Sequence, residues 1–480
     1  MTDLIDTGGL PVRGGFFVTR SPGTARTPFV PAVASTHDYQ HSHSYVAGGS
    51  TTRADLVGLV DSASERIFIA SYLIGDGALS DALERAAMRL RGGVRVIVNL
   101  EGSAFGDNVQ EAVERRRFEE LSARGVMIRS YPGCHAKFAV IDEEAVLIHS
   151  ANFMTRAFET TGENGVIIFA RQEVAEAARF FERLWRGATW EMDTTGKRVV
   201  SRRRPDSLRH HLRAASSKVG LIWTFHDEHL ILGAITDLIS TAERELVMAT
   251  FNVSEMSRRP ELLHDHLRGA VARGVDVRLL MRARSGPEAG EEAAALQDLG
   301  VKLYPCSLNH AKGVVADRVR GALFSANLDS RFGLDNGVEL GVRLDGTPAL
   351  DAALRFLEHS MAEHDRDFVR DPEARTLASG WNYPLLSATE PIEVTASIGN
   401  WKRLSDLRSG PVVFERHPER LELYAEGHSW HLYPDHAGRG YRLEPGRPQE
   451  HHAMSRLLQG DARTGEPTAG ICTAFLRLHS

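Results

Sequence analysis

The sequence predicts an α/β protein made of two copies of one lobe, each a mixed, largely parallel sheet flanked by helices, followed by a small β-rich domain. Three observations predict it. Buried-looking strands alternate with amphipathic helices from about residue 54, the same alternation returns from about residue 230, and identities shared by the two passes keep a fixed register. Alternation of this kind implies crossover units.

In the first pass, residues 54–65 (ADLVGLVDSASE) read as a helix and 66–74 (RIFIASYLI) as a strand. Residues 79–93 then read as a helix, 94–100 (VRVIVNL) as a strand, 109–125 as a helix and 126–131 (VMIRSY) as a strand. The second pass repeats the order with a helix at 232–244, a strand at 245–253, a helix at 261–274, a strand at 275–281, a helix at 291–300 and a strand at 301–306. The offset between Gly125 and Gly300 is 175 residues, as it is for His135 and His310, Lys137 and Lys312, Asp142 and Asp317, Ser150 and Ser325, and Asn152 and Asn327. After one inserted residue the offset becomes 176, for Glu163 and Glu339, Gly165 and Gly341, Phe180 and Phe356, and Glu182 and Glu358. So many identities in register mark an internal duplication.

The rest of the chain divides around these copies. Residues 1–50, rich in Gly, Pro, Ser and Thr, are expected to form an irregular N-terminal arm. The first lobe is placed at 51–195, a basic linker at 196–225, the second lobe at 226–372 and the β-rich accessory domain at 380–480. The arm ends in a cluster of His37, His41 and His43, which reads as a solvated polar loop, because no carboxylates or cysteines are spaced around it as metal ligands would be. The linker carries Lys197, Arg198, Arg202, Arg203, Arg204, Arg209, Arg213 and Lys218 against one acid, Asp206, so it suits either a polyanion or bulk solvent. Short alternating runs beyond about residue 375, such as PVVFER and RLELYAE, predict strands. There GHSWH and HH read as exposed strand positions better than as a metal site.

Bulk properties narrow the partners. Over 480 residues the net charge is −6, with 42% hydrophobic and 25% charged residues, which fits an ordinary globular protein and not one that coats nucleic acid. A local basic groove remains compatible with that total. The three cysteines, Cys134, Cys306 and Cys472, lack metal-ligand spacing and are too few for a disulfide framework. The opening residues show no basic flank followed by an apolar run, and no apolar stretch approaches 20 residues, so a cytoplasmic protein without a membrane span is expected.

The chemistry concentrates in CHAKFAVIDEEAVLIHSANF (134–153) and its second copy, NHAKGVVADRVRGALFSANL (309–328). His135 and Lys137 alternate along an expected strand and therefore share a face. Asp142 opens a turn, and the returning strand brings Ser150 and Asn152, again two apart. Such a hairpin gathers an imidazole, an ammonium, a hydroxyl and an amide, a set suited to non-bridging phosphate oxygens. Imidazole is the group here able to act as nucleophile, acid or base near neutral pH. Two facing copies would give one His to attack phosphorus and one to protonate the leaving oxygen. Cys134 has no counterpart in the second copy, where Asn309 stands, so it reads as a bystander.

This doubled pattern, His-x-Lys-x4-Asp, then Ser-x-Asn, then a downstream Glu, resembles the phospholipase D superfamily. The matches are His135, Lys137, Asp142, Ser150, Asn152 and Glu163 in the first copy, and His310, Lys312, Asp317, Ser325, Asn327 and Glu339 in the second. The resemblance covers roughly residues 54–370. It implies two lobes packed about a pseudo-two-fold with the site at the seam, and a two-step, metal-independent phosphodiester reaction through a phosphohistidine, with no cofactor. It further implies that His135 is the nucleophile and His310 the general acid that then activates water or an alcohol, the reverse assignment staying open. Lys137, Lys312, Asn152 and Asn327 would stabilise the phosphoryl oxygens, Ser150 and Ser325 would complete the phosphate cradle, and Glu163 and Glu339 would hold the other ring nitrogens of the histidines. Asp142 and Asp317 would brace the hairpins. The family commonly has Gly before the Ser, whereas His149 and Phe324 stand here. Glu339 also lies one residue further from its Asn than Glu163 does, which leaves its role less secure.

Among substrates, the soluble composition, basic linker and accessory domain favour nucleic acid. A phospholipid hydrolase or phosphatidyltransferase is the alternative, and a non-catalytic binding protein comes third. The composition is silent on oligomeric state.

Overall fold

The computed structural model describes residues 16–19, 26–31, 38–99, 109–192, 199–201, 219–283, 287–330 and 333–370, together with five short strand segments between 386 and 430. Two large sheets carry the fold. The first has nine strands, in the spatial order 39–44, 163–168, 145–149, 138–141, 67–70, 94–98, 127–130, 190–192 and 199–201. The second has eight, in the order 228–229, 219–225, 338–344, 320–324, 313–316, 245–250, 276–282 and 302–306. Seven strands of the second sheet, 219–225 through 302–306, repeat in order the seven of the first from 39–44 through 127–130.

The sheets are mixed, but parallel pairing is narrower than the sequence suggested. It is confined to the crossover strands Ile67–Ala70, Val94–Val98 and Met127–Ser130, and to Glu245–Thr250, Asp276–Arg282 and Lys302–Cys306. The helices Gly77–Arg89 and His264–Ala272 lie in these crossovers. The neighbouring hairpins pair antiparallel because a tight turn returns the chain directly alongside itself. Their turns hold Asp142 at φ 52° and Asp317 at φ 51°, left-handed conformations that an Asp tolerates better than most residues.

Four strands fall where the sequence reading placed an irregular arm or a linker: Phe16–Thr19, Tyr39–Ser44, Val199–Ser201 and Val219–Phe225. Tyr39–Ser44, inside the expected irregular arm, pairs antiparallel with Glu163–Ile168 and closes one edge of the first sheet. Val219–Phe225, inside the expected linker, pairs with Val338–Leu344 in the same way and belongs to the second lobe. His41 and His43 are consequently not in a solvated loop. Their rings stack at 5.4 Å and both approach Phe356, with no hydrogen-bond partner for any of the four ring nitrogens. His37 and all eight basic residues of the linker lie outside the described residues.

A shared core joins the lobes. The helix Arg171–Gly187 of the first lobe puts Phe180 against Trp223 and Phe225 on the edge strand of the second. Reciprocally, Pro348–Ala362 puts Phe356 against His43 and Tyr45 on the edge strand of the first. Each lobe thus buries its partner's edge, removing unpaired apolar surface from water. Farther upstream, Phe16–Thr19 pairs with Arg366–Val369, so the N-terminal residues touch the second lobe before joining the first.

Beyond residue 370 the described segments are strands, as expected. Lys402–Arg403, Val412–Arg416 and Glu419–Leu423 form an antiparallel sheet, and Leu386–Ser387 pairs with Ser429–Trp430. The histidines of the GHSWH and HH runs, His428, His431, His451 and His452, lie outside the described residues.

Candidate active site

Each copy of the motif is held by its backbone before any side chain acts. The first strand of each hairpin begins just after the Lys, at Phe138 and Gly313, so His135 and His310 lie ahead of the regular strands and not within them. What fixes them is the other lobe. Cys134 and Val338 form a parallel bridge, and His135 N donates to Val338 O at 3.0 Å. Gly162 and Asn309 form the matching bridge, and His310 N donates to Gly162 O at 2.8 Å. Val338 and Gly162 each immediately precede a motif glutamate.

The glutamates therefore serve the opposite lobe. His135 Nδ1 stands 2.7 Å from Glu339 Oε1, and His310 Nδ1 2.8 Å from Glu163 Oε2. The added residue before Glu339 is absorbed between Leu328 and Val338, and the two contacts match in length. Each carboxylate also accepts from a serine of its own lobe, Ser150 to Glu163 and Ser325 to Glu339, and Thr161 Oγ1 donates to Glu163 at 3.0 Å. The same serines accept backbone donors, Asn164 N to Ser150 and Leu340 N to Ser325. Ser150 and Ser325 thus orient carboxylates, a placement different from the phosphate contact the sequence suggested.

Electrostatics follow from this burial. Both glutamates are essentially inaccessible, at 1% of side-chain surface, and burial alone would raise their pKa values. The facing imidazoles, the nearby lysines and the serine donors override it, lowering Glu339 and bringing Glu163 down to about 2. Burial lowers both histidines, His310 to about 4, against the opposing pull of the glutamates. The resting pairs are thus neutral imidazole with carboxylate, and Nδ1–H donation leaves Nε2 for substrate. Burial likewise lowers Lys137 to about 8 and Lys312 to about 7. Both ammonium groups donate to the carbonyl of the motif histidine two residues before them. The side-chain oxygens of Asn152 and Asn327 are buried without a partner, at equivalent places in the two lobes.

Asp142 and Asp317 sit at the far ends of the hairpins. Asp142 accepts from the backbone of Ser64, Glu65 and Arg66 at 2.7–2.8 Å, and Asp317 from Glu243, Arg244 and Glu245 at 2.8–3.2 Å. They tie each turn to the start of the adjacent strand. Cys134 is buried, with its thiol pushed up to about 12 by burial, and so carries no thiolate.

His149 and Phe324, standing where the family commonly has Gly, are explained by the strand beside them. His149 pairs across from Gly165, and Phe324 from Gly341. A Cβ on Gly165 would fall 2.2 Å from His149 Cδ2, and one on Gly341 2.6 Å from Phe324 Cβ. In this chain the small residue stands on the facing strand. Ala151 N donates to His149 Nδ1, so Nε2–H donates to Thr52 Oγ1 at 3.0 Å. The imidazole stays neutral, lowered by burial to about 4.

Two further site residues escaped the sequence reading. Tyr72 and Phe251 follow equivalent strands and meet the motif histidines edge-on, Tyr72 at 5.6 Å from His135 and Phe251 at 4.7 Å from His310. Because they are not identical, a search for repeated identities passes over them, although their equivalent positions were readable.

Both lobes are similar to known proteins. Residues 56–185 and 235–361 match the family model described as "Cardiolipin synthase, PLD-like domain". Among solved structures, phosphatidylserine synthase of Haemophilus influenzae is similar over 69% of this chain and 87% of its own, with 16% identity and a TM-score of 0.51, and shares the fold. The phospholipase D family member Nuc of Salmonella typhimurium aligns over 31% of this chain and 95% of its own, with 21% identity and a TM-score of 0.27. Polyphosphate kinase of Porphyromonas gingivalis aligns over 67% and 50%, with 16% identity and a TM-score of 0.46. No curated protein sequence matches the chain.

Proposed function

We propose that this chain, which belongs to the phospholipase D superfamily through its two cardiolipin synthase, PLD-like domains, is a phosphodiester-acting enzyme that transfers or hydrolyses the phosphatidyl group of a phospholipid. The observation carrying the lipid reading is the match of both lobes to that family model. Nucleic acid, the first expectation from sequence, thereby gives way to the phospholipid alternative, and the basic run that had favoured it lies outside the described residues. Among the described residues no helix is long and apolar enough to cross a membrane.

The reaction we infer has two displacements. His135 Nε2 attacks phosphorus, the bond to the leaving alcohol breaks, and His310 gives that oxygen its proton. His310 then takes a proton from water or an incoming alcohol, whose oxygen attacks the phosphohistidine and releases His135. Lys137, Lys312, Asn152 and Asn327 stabilise the charge on the non-bridging oxygens, a preorganised role that needs no rearrangement during the reaction. Glu163 and Glu339 hold the tautomer and orientation of the rings. His310 is neutral in the resting site, so the negative phosphodiester must raise its proton affinity on binding.

A substrate panel tests the lipid reading. Phospholipid vesicles should yield free headgroup with the wild type, and His135→Ala and His310→Ala should each lower that rate at least about a thousandfold. Wild-type protein that leaves vesicles intact while cutting DNA or RNA would return the assignment to nucleic acid.

A further inference from the structure

The duplication supplies an internal control for charge. Phe251 and Arg282 lie at the C-terminal ends of two adjacent parallel strands, Glu245–Thr250 and Asp276–Arg282, the end of an α/β sheet at which ligands bind. In the first lobe the equivalent strands lead to Tyr72 and Asn99. One lobe therefore places an aromatic ring beside a neutral amide, and the other an aromatic ring beside a guanidinium.

That guanidinium is not remote from the chemistry. Arg282 Cζ is 5.3 Å from the Phe251 ring centre and Lys312 Nζ is 5.7 Å from it, while the ring itself meets His310 at 4.7 Å. Arginine laid on an aromatic face is held in a fixed orientation and presents a planar fork matched to phosphate. The second lobe thus brings two cations to one ring. Beyond the effect of burial, Lys137 and Arg282 both depress Lys312, while Glu163 and Glu339 raise it, so the guanidinium lies within electrostatic reach of the motif lysine.

We propose that Arg282, with Lys312 and Phe251, forms a subsite on the His310 side of the site for a second anionic group. The preferred substrate or acceptor then carries a phosphate group in addition to the diester being cleaved. This rests on the phosphoryl-transfer site proposed above and narrows its substrate class. Asn99 gives the His135 side no such charge, so the preference is one-sided.

Calorimetric titration of the full chain with inorganic phosphate and pyrophosphate tests it, since pyrophosphate can span the central phosphate position and its neighbour. The wild type should bind pyrophosphate at least about tenfold tighter than phosphate, Arg282→Gln should erase most of that ratio, and Arg282→Lys should restore part of it. Equal binding of the two anions by the wild type, or an Arg282→Gln protein that weakens both alike, would overturn the subsite. Competition against pyrophosphate by free glycerol 3-phosphate, or by phosphatidylcholine vesicles containing phosphatidic acid, separates a soluble phosphate from a lipid headgroup. Arg282-dependent competition by either supports the proposal, and competition by neither removes it. Binding is read without turnover, so this result is independent of whether the wild type releases headgroups.

Discussion

Glu339 shows how a residue's place in the chain can mislead about its place in the site. Its displaced spacing left its role insecure in the sequence, yet the parallel bridge between Cys134 and Val338 delivers its carboxylate to His135 as closely as Glu163 reaches His310. The two substitutions Glu163→Gln and Glu339→Gln should therefore act alike, each lowering kcat by about 10²–10⁴-fold. Steady-state kinetics on the two variants would refute the equivalence if Glu339→Gln kept wild-type turnover. Protonation states at this scale also set a pH profile. The proposed mechanism needs His135 neutral and His310 and both lysines protonated, while burial lowers His310 to about 4 and Lys312 to about 7. kcat/KM, which reports the free enzyme, should therefore already be falling as pH rises through neutrality and should peak on its acid side; a maximum above about pH 8 would contradict these assignments.

At the scale of elements, what the sequence revealed and what it hid divide by burial chemistry. The crossover strands and helices were legible because apolar residues recur at their own period, as in Val94–Val98 and Gly77–Arg89. The edge strand Tyr39–Ser44 was not, because its inward positions are His41 and His43, where the second lobe has Leu221 and Trp223. Imidazoles without partners look polar in a sequence and behave as apolar rings when neutral. Burial lowers His43 to about 4, so the unfolded chain binds its proton at a higher pH than the folded one does. Stability should accordingly fall as pH drops from about 6.5 toward 4, with His43 accounting for about 2 kcal/mol at pH 5 relative to pH 8. Denaturant unfolding of His43→Leu should show a shallower acid limb than the wild type. An unchanged limb would place the acid sensitivity elsewhere. The strand pairs beside the motif carry a second expectation. Gly165→Ala and Gly341→Ala should each destabilise the fold by about 1–3 kcal/mol, because His149 and Phe324 already occupy the space; thermal melts matching the wild type would show that the strands can part to admit the methyl group.

For the whole molecule, the duplication was the most legible feature and the seam the least. Repeated His, Lys, Ser and Asn at one offset located both half-sites, but nothing in the spacing said that each glutamate crosses to the other lobe. That depends on long-range backbone pairing, which local patterns do not encode. The helices bearing Phe180 and Phe356 likewise cover the opposite lobe's edge strand, so neither half-site is complete without its partner. The central claim is that these joined halves perform phosphoryl transfer through histidine. It is tested most directly by quenching the enzyme with denaturant at mildly alkaline pH, where a phosphorus–nitrogen bond survives, during turnover of a phospholipid and mapping the adduct by mass spectrometry. The account predicts a phosphatidyl group on His135 that accumulates in His310→Ala; an adduct on His310 would exchange the two roles, and a quenched, actively turning-over enzyme with neither imidazole modified would contradict the account.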